Sequence, residues 1–326
     1  MRTRRVRPLE RWIVGIACVC VCTARAWAQT PPSTAQPPAA VAPPAASQNP
    51  SPMVEHTRRH ERLVERPLGG TTRSYTGPLN KPVELWIPPR VASATTFDVV
   101  IHFHGAAWLA QQAVAERGQR AVAVVLNLGS GSGVYDRTFN DPTVFDSLLA
   151  AITREVRTVH ASIQQVRRIT LVGFSAGHGS VRAILRHAPH AARVDAVLLI
   201  DGLHTSYVPE GKPLASGGVL DTTNLVALTN FAREAMLGRK RMLITHSEIF
   251  PGTFASTTET SDWMVSALGV RRTPVLRWGA RGLQQLSEVR AGRLGILGFA
   301  GNSAPDHVDQ LHAMPELLGQ LGAGRC

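Results

Sequence analysis

Six short runs along the chain are nearly continuous in aliphatic and β-branched residues: Phe97–Phe103, Ala121–Leu128, Arg168–Gly173, Ala196–Ile200, Arg241–Thr245 and Leu294–Phe299. A strand with one wet face alternates apolar and polar residues, whereas a strand covered on both faces is apolar throughout. The stretches between these runs carry helical signals. Asp146–Val156 places apolar residues three and four apart, the spacing of one helix face. Ser256-Thr257-Thr258-Glu259 is a capping box ahead of the amphipathic Trp263–Leu268. This alternation predicts an α/β domain: a mostly parallel central sheet of about eight strands with helices on both faces. Val83–Ile87, bounded by Pro82 and Pro88, reads as an edge strand. Two segments, Gly129–Phe139 and His204–Asp221, lack any core pattern and read as loops that shape a cleft.

Ahead of this pattern the chain is organised differently. Arg2 to Arg11 is basic, Trp12–Cys22 is apolar, and Ala26-Trp27-Ala28 is a small-x-small site. That is the layout of a signal peptide over residues 1–28, cleaved after Ala28, and it predicts a secreted or periplasmic protein that meets a membrane only in transit. Residues 29–57 open with a run of Pro, Ala, Gln and Ser nearly free of charge and large apolar groups. Such a segment cannot pack a core and is expected to be a disordered linker. The folded domain is expected over 58–326. Of the four cysteines, Cys18, Cys20 and Cys22 fall in the signal segment. Only Cys326 is left for the mature chain, so no internal disulfide is expected.

Composition narrows the function classes. With 44% hydrophobic and 18% charged residues, the chain has the make-up of a globular protein. Of the net charge of +12, five units come from the signal segment, where Arg2, Arg4, Arg5, Arg7, Arg11 and Arg25 stand against Glu10, leaving +7 for the rest. The remaining basic residues are scattered, and a nucleic-acid partner would need them clustered. No Cys/His spacing suggests a metal site, and no cofactor motif is present, so neither is expected.

The chemistry-bearing motif is Gly173-Phe174-Ser175-Ala176-Gly177, with an apolar strand before it and a helical pattern after it. This is the G-x-S-x-G nucleophile elbow in its required context. Side chains at 173 and 177 would collide with the neighbouring strand and helix, and the helix N-terminus directs its positive end at the serine. Upstream, Val99–Phe103 leads into His104-Gly105-Ala106-Ala107, a strand ending in His-Gly.

With these two motifs the chain resembles the α/β-hydrolase fold family over roughly residues 75–322. The resemblance implies Ser175 as nucleophile and an oxyanion hole from two backbone N–H groups, those of Ala176 and Ala106. It also implies the chain order serine, acid, histidine. His307, after the last apolar run, then stands as the general base, and His312 as a lesser candidate. For the acid, Asp201 follows the strand after the elbow and Glu248 follows the strand before last. Asp201 is preferred, because an Asp directly after five apolar residues looks placed for a site. Glu259 is taken up by the capping box and Asp262 by a helix. His102 and His104 read as strand-end histidines satisfied by backbone. Trp108, Tyr135, Phe139 and Tyr207 either pack the loops or touch substrate.

The expected function is a serine hydrolase of carboxylic esters, acting through an acyl-enzyme on a small-molecule or polysaccharide ester. A serine peptidase of the same fold and a catalytically silent binding module are the alternatives. No large helical insertion is visible in the sequence, which disfavours a lidded lipase.

Overall fold

A computed structural model describes residues 63–322, except 78, 80, 92 and 118–120. The expected signal peptide and linker, and Cys326, lie outside the described residues.

The strands are β1 (Thr71–Thr76), β2 (Pro82–Ile87), β3 (Thr96–Phe103), β4 (Ala121–Leu126), β5 (Gln165–Phe174), β6 (Val194–Ile200), β7 (Tyr207–Val208), β8 (Val219–Leu220), β9 (Arg241–His246), β10 (Thr273–Trp278), β11 (Gln284–Ala291) and β12 (Leu294–Phe299). The helices are α1 (Ala107–Glu116), α2 (Ser132–Phe139), α3 (Pro142–Arg157), α4 (His178–Arg186), α5 (Ala188–Arg193), α6 (Val226–Met236), α7 (Thr257–Leu268), α8 (Ala304–His312) and α9 (Met314–Gly322).

Ten strands form one sheet in the order β1-β2-β4-β3-β5-β6-β9-β12-β11-β10, and β7 pairs with β8 alone. The six central strands, β4 to β12 in that order, run parallel. Antiparallel pairs flank them on both sides. All six apolar runs are strands of the parallel core. Their composition follows from burial on both faces. In β4, Val122, Val124 and Leu126 face one layer, while Ala121, Ala123 and Val125 face the other. Helices α1, α8 and α9 cover the second layer, and α2, α3, α4, α6 and α7 cover the first.

The sheet departs from expectation at its margins. It has ten strands rather than about eight, and β2 is not an edge strand, because β1 lies outside it. β1 reads TTRSYT and β10 reads TPVLRW, each with most residues exposed or half-exposed. A marginal strand with little covered face needs no apolar run, so periodicity does not reveal it. Gly129–Phe139 is also no simple loop. Ser132–Phe139 is helix α2, whose fully buried Tyr135 and Phe139 supply the core contact. Only two of its eight residues are buried, too few for a helical stripe to show in sequence.

Candidate active site

β5 lies between β3 and β6, near the centre of the sheet. At its end the chain turns sharply. Ser175 has φ 47°, in the left-handed region that costs a residue with a Cβ about 1–3 kcal/mol and that concentrates at functional turns. A single 3-10 turn, Ser175–Gly177, then runs into α4. The two glycines of the motif are required by crowding. A Cβ on Gly173 would stand 3.1 Å from the Gly177 carbonyl carbon, the His178 nitrogen and Val181. A Cβ on Gly177 would be driven into the Phe103 carbonyl.

β6 is the neighbour of β5, and Phe174 lies opposite Ile200. The residue after Ile200 is Asp201, also at positive φ, 40°. The two turns abut, since a Cβ on Gly202 would sit 3.1 Å from the Ser175 nitrogen. The Asp201 carboxylate is 2% exposed and receives four donors. Oδ1 accepts from the Ser247 N–H at 2.9 Å and the Thr257 hydroxyl at 2.6 Å. Oδ2 accepts from the Ser247 hydroxyl at 2.7 Å and from His307 Nδ1 at 2.7 Å. Burial alone would raise the Asp201 pKa. Its hydrogen bond and charge interaction with His307, with the Thr257 and Ser247 hydroxyls, outweigh burial and hold the carboxyl well below the usual carboxylate range.

His307 comes from the first turn of α8, beyond β12, and is 6% exposed. Ser303 and Asp306 close a capping box around that turn. Asp306 therefore serves the helix end, although it adjoins His307 in sequence. The imidazole of His307 stacks on Phe174, with centroids 4.5 Å apart. That places it against the residue immediately before Ser175.

On the other side of the elbow, β3 ends in two positive-φ residues, His104 at 71° and Gly105 at 142°. Asn127 clamps this turn through its side-chain amide, accepting from the Gly105 N–H at 2.9 Å and donating to the Gly105 carbonyl at 3.0 Å. Ala106 is then the N-cap of α1, as Ala176 stands in the turn that starts α4. N–H groups at a helix start lack acceptors within the helix and carry the positive end of its dipole. These are the two groups expected to face an oxyanion.

The six parallel strands, the elbow after β5, an acid after β6 and a histidine after β12 occur in the chain order serine, acid, histidine. The chain has the α/β-hydrolase fold. Of the two acids weighed in the sequence, Asp201 is the one that contacts His307. Glu248 is exposed, and its backbone N–H binds the Gly301 carbonyl at 2.9 Å. Its neighbour Ser247 stands in the cluster instead.

Other expectations resolve as follows. His312 lies at the end of α8, 3.5 Å from Asp309 of the same helix. Glu259 closes the box with Ser256 and accepts from the Tyr207 hydroxyl at 2.8 Å. Asp262 pairs with Arg272. Of the strand-end histidines, the buried His102 takes a hydrogen bond from its ring to the His104 backbone, and His104 Nδ1 bonds the Tyr135 hydroxyl at 2.9 Å. Burial, with the adjacent His104, pushes the His102 pKa down to about 3. Ser247 and Thr257 escaped sequence reading as site residues. The available signals were a hydroxyl directly after β9 and a threonine opening α7. Among the described residues no group of three or more His, Cys, Asp or Glu side chains is arranged to hold a metal ion.

Neither a family model nor a curated protein matches the sequence. Solved structures do resemble it. One is a thermostable esterase, 15% identical with a TM-score of 0.43, matching 76% of this chain and 59% of that one. An enterobactin esterase from Shigella flexneri is 12% identical with a TM-score of 0.45, over 79% of this chain and 60% of that one. A thermophilic esterase from Thermogutta terrifontis is 16% identical with a TM-score of 0.42, over 81% and 97%. The chain thus spans about three fifths of the length of the first two.

Proposed function

We propose that this protein is a serine hydrolase of carboxylic esters. The observation that carries the reading is the 2.7 Å bond from His307 Nδ1 to a buried Asp201, set against the strained turn that presents Ser175. With Nδ1–H spent on Asp201, the neutral ring keeps its lone pair on Nε2. Nε2 takes the Ser175 proton as Oγ attacks the ester carbonyl carbon. The carbonyl oxygen becomes an oxyanion between the N–H groups of Ala176 and Ala106. Collapse expels the alcohol, which leaves with the proton from Nε2, and Ser175 holds the acyl group. Water then attacks with Nε2 again as base, releasing the acid and restoring Ser175. Asp201 stays ionised and stabilises the imidazolium.

The substrate is a small-molecule or polysaccharide ester met outside the cytoplasm, after removal of residues 1–28. Support for export is the tripartite pattern of those residues. N-terminal sequencing of the protein from the extracytoplasmic fraction tests it, with Gln29 expected as first residue.

The test of the chemistry is labelling with a fluorophosphonate serine probe, beside Ser175→Ala. Labelling by wild type that disappears in the variant is expected. Failure of the well-folded wild type to label would overturn the serine mechanism. Turnover of peptides but not esters would turn the reading to the peptidase alternative.

A further inference from the structure

The two N–H groups expected at the oxyanion belong to the peptide units Gly105–Ala106 and Ser175–Ala176. In each unit the carbonyl oxygen accepts a hydrogen bond from a side chain. Asn127 Nδ2 donates to the Gly105 carbonyl at 3.0 Å. His178 Nδ1 donates to the Ser175 carbonyl at 2.8 Å. Asn127 directly follows β4, and His178 opens α4. Two side chains from different elements thus make the same contact on the two halves of the hole.

Asn127 is exposed, yet its amide turns both polar atoms onto Gly105, Oδ1 accepting the Gly105 N–H at 2.9 Å. That bond occupies the Gly105 N–H, so the turn offers an oxyanion the N–H of Ala106. His178 is 3% exposed. Burial, then His204 and Arg182, holds its pKa well below the ordinary histidine range. Its ring is therefore neutral, and the single ring proton sits on Nδ1, where the Ser175 carbonyl accepts it.

A donor on an amide oxygen draws electron density through the C–N bond and makes the N–H of the same unit a stronger donor, because linked hydrogen bonds polarise one another. It also fixes the plane of the peptide, so the N–H needs no reorientation when charge develops. Full charge on the substrate oxygen exists only in the tetrahedral state. Stronger and better aimed N–H groups therefore favour that state over the bound ester and act on kcat more than on KM.

We propose that Asn127 and His178 are paired positioning residues that polarise and orient the two oxyanion peptides from their carbonyl sides. The proposal deepens the serine-hydrolase reading and rests on it.

The variants Asn127→Ala, Asn127→Asp and His178→Phe test it. End-point labelling with the fluorophosphonate probe counts competent serines, so rates are expressed per labelled site and a loss of folded protein cancels. The readouts are kcat and KM for phenyl acetate, and Ki for a phenyl trifluoromethyl ketone, whose adduct with Ser175 places an oxyanion in the hole. In Asn127→Ala and His178→Phe, kcat is expected to fall roughly three- to tenfold, the scale of one neutral hydrogen bond, with KM little changed. The ketone Ki is expected to rise by the factor by which kcat/KM falls. Asn127→Asp is expected to lose more than Asn127→Ala, since its carboxylate still accepts the Gly105 N–H but opposes the Gly105 carbonyl. A side chain that only shaped the turn would give the reverse order, because Asp matches Asn in shape. Asn127 is exposed, so its two variants decide the matter even where His178→Phe does not fold. An unchanged ketone Ki in Asn127→Ala, or an Asp variant no worse than the Ala variant, would overturn the proposal. Labelling without ester turnover would remove the ester reading, and the ketone Ki values would then decide the pair by the same criteria. Absence of labelling in well-folded wild type would take both down.

Discussion

Asp201 Oδ2 and His307 Nδ1 are 2.7 Å apart across a sequence separation of 106 residues. One stands at the end of β6 and the other in the first turn of α8. Strand β9 lies between β6 and β12 in the sheet. The site is thus assembled across three neighbouring strand ends and depends on their register.

Replacing Ser175 by alanine is expected to lower kcat by at least about 10⁴-fold, the scale on which an essential nucleophile fails. Relief of a left-handed turn is not expected, since alanine keeps the Cβ. The melting temperature should therefore stay within a few degrees. Circular dichroism melts beside ester turnover check both halves.

Asp201→Asn is expected to cost on the order of 10³- to 10⁴-fold in kcat. The amide cannot accept from all four donors that converge on the carboxylate, and it presents N–H where His307 needs an acceptor. Glu248→Gln is expected to leave kcat within about twofold, because Glu248 is exposed and outside the cluster. Equal losses in the two variants would refute the assignment of the acid.

Ser247→Ala removes one hydroxyl donor from Asp201 and leaves the backbone N–H of 247 in place. A hydrogen bond to a charged group contributes about 1.5–3 kcal/mol. We expect a fall in kcat of roughly tenfold, measured by steady-state ester turnover beside the wild type.

Gly177→Ala is expected to destabilise the fold by about 3 kcal/mol or more, because the new methyl meets the rigid Phe103 carbonyl. Chemical denaturation compares it with Gly131→Ala, where no atom lies within 4 Å of the added Cβ.

Stability is expected to fall as pH drops below about 6.5. His102 and His246 are held down to about 3 and about 4, and His178 lies well below its ordinary value. Burial leads in all three, joined by His104, Arg272 and His204 respectively. Their folded pKa values lie below the unfolded ones, so the unfolded chain binds protons first. Stability is complete above pH 6.5 and lost toward pH 4, at up to about 1.4 kcal/mol per pH unit per histidine. Asp201 adds nothing in this window, since its stabilisation is lost only below its unfolded value of 3.8. Melts at pH 7.5, 5.5 and 4.5 test the slope, and His102→Leu should flatten it. A flat profile would mean these rings charge without unfolding.

The sequence determined what depends on local pattern. Central strands such as Ala121–Leu126 announce themselves because burial on both faces demands an apolar residue at every position. Ser175 announces itself because its turn admits only glycine at 173 and 177. His307 follows from its place after the last apolar run. The margins of the sheet did not show, since β1 and β10 bury too little to need a pattern.

What only the tertiary structure decided was the choice among equivalents. Asp201 and Glu248 both follow buried strands, and nothing in their flanking residues measures distance to His307. Sheet order brings Asp201 under the imidazole and leaves Glu248 in solvent, with Ser247 turned inward beside it. The places of Ser247 and Thr257 arise in the same way. A hydroxyl joins the cluster through its partner, and that partner lies 46 and 56 residues away in the chain. Local pattern carries burial and backbone shape; it carries no information on which buried polar groups will meet.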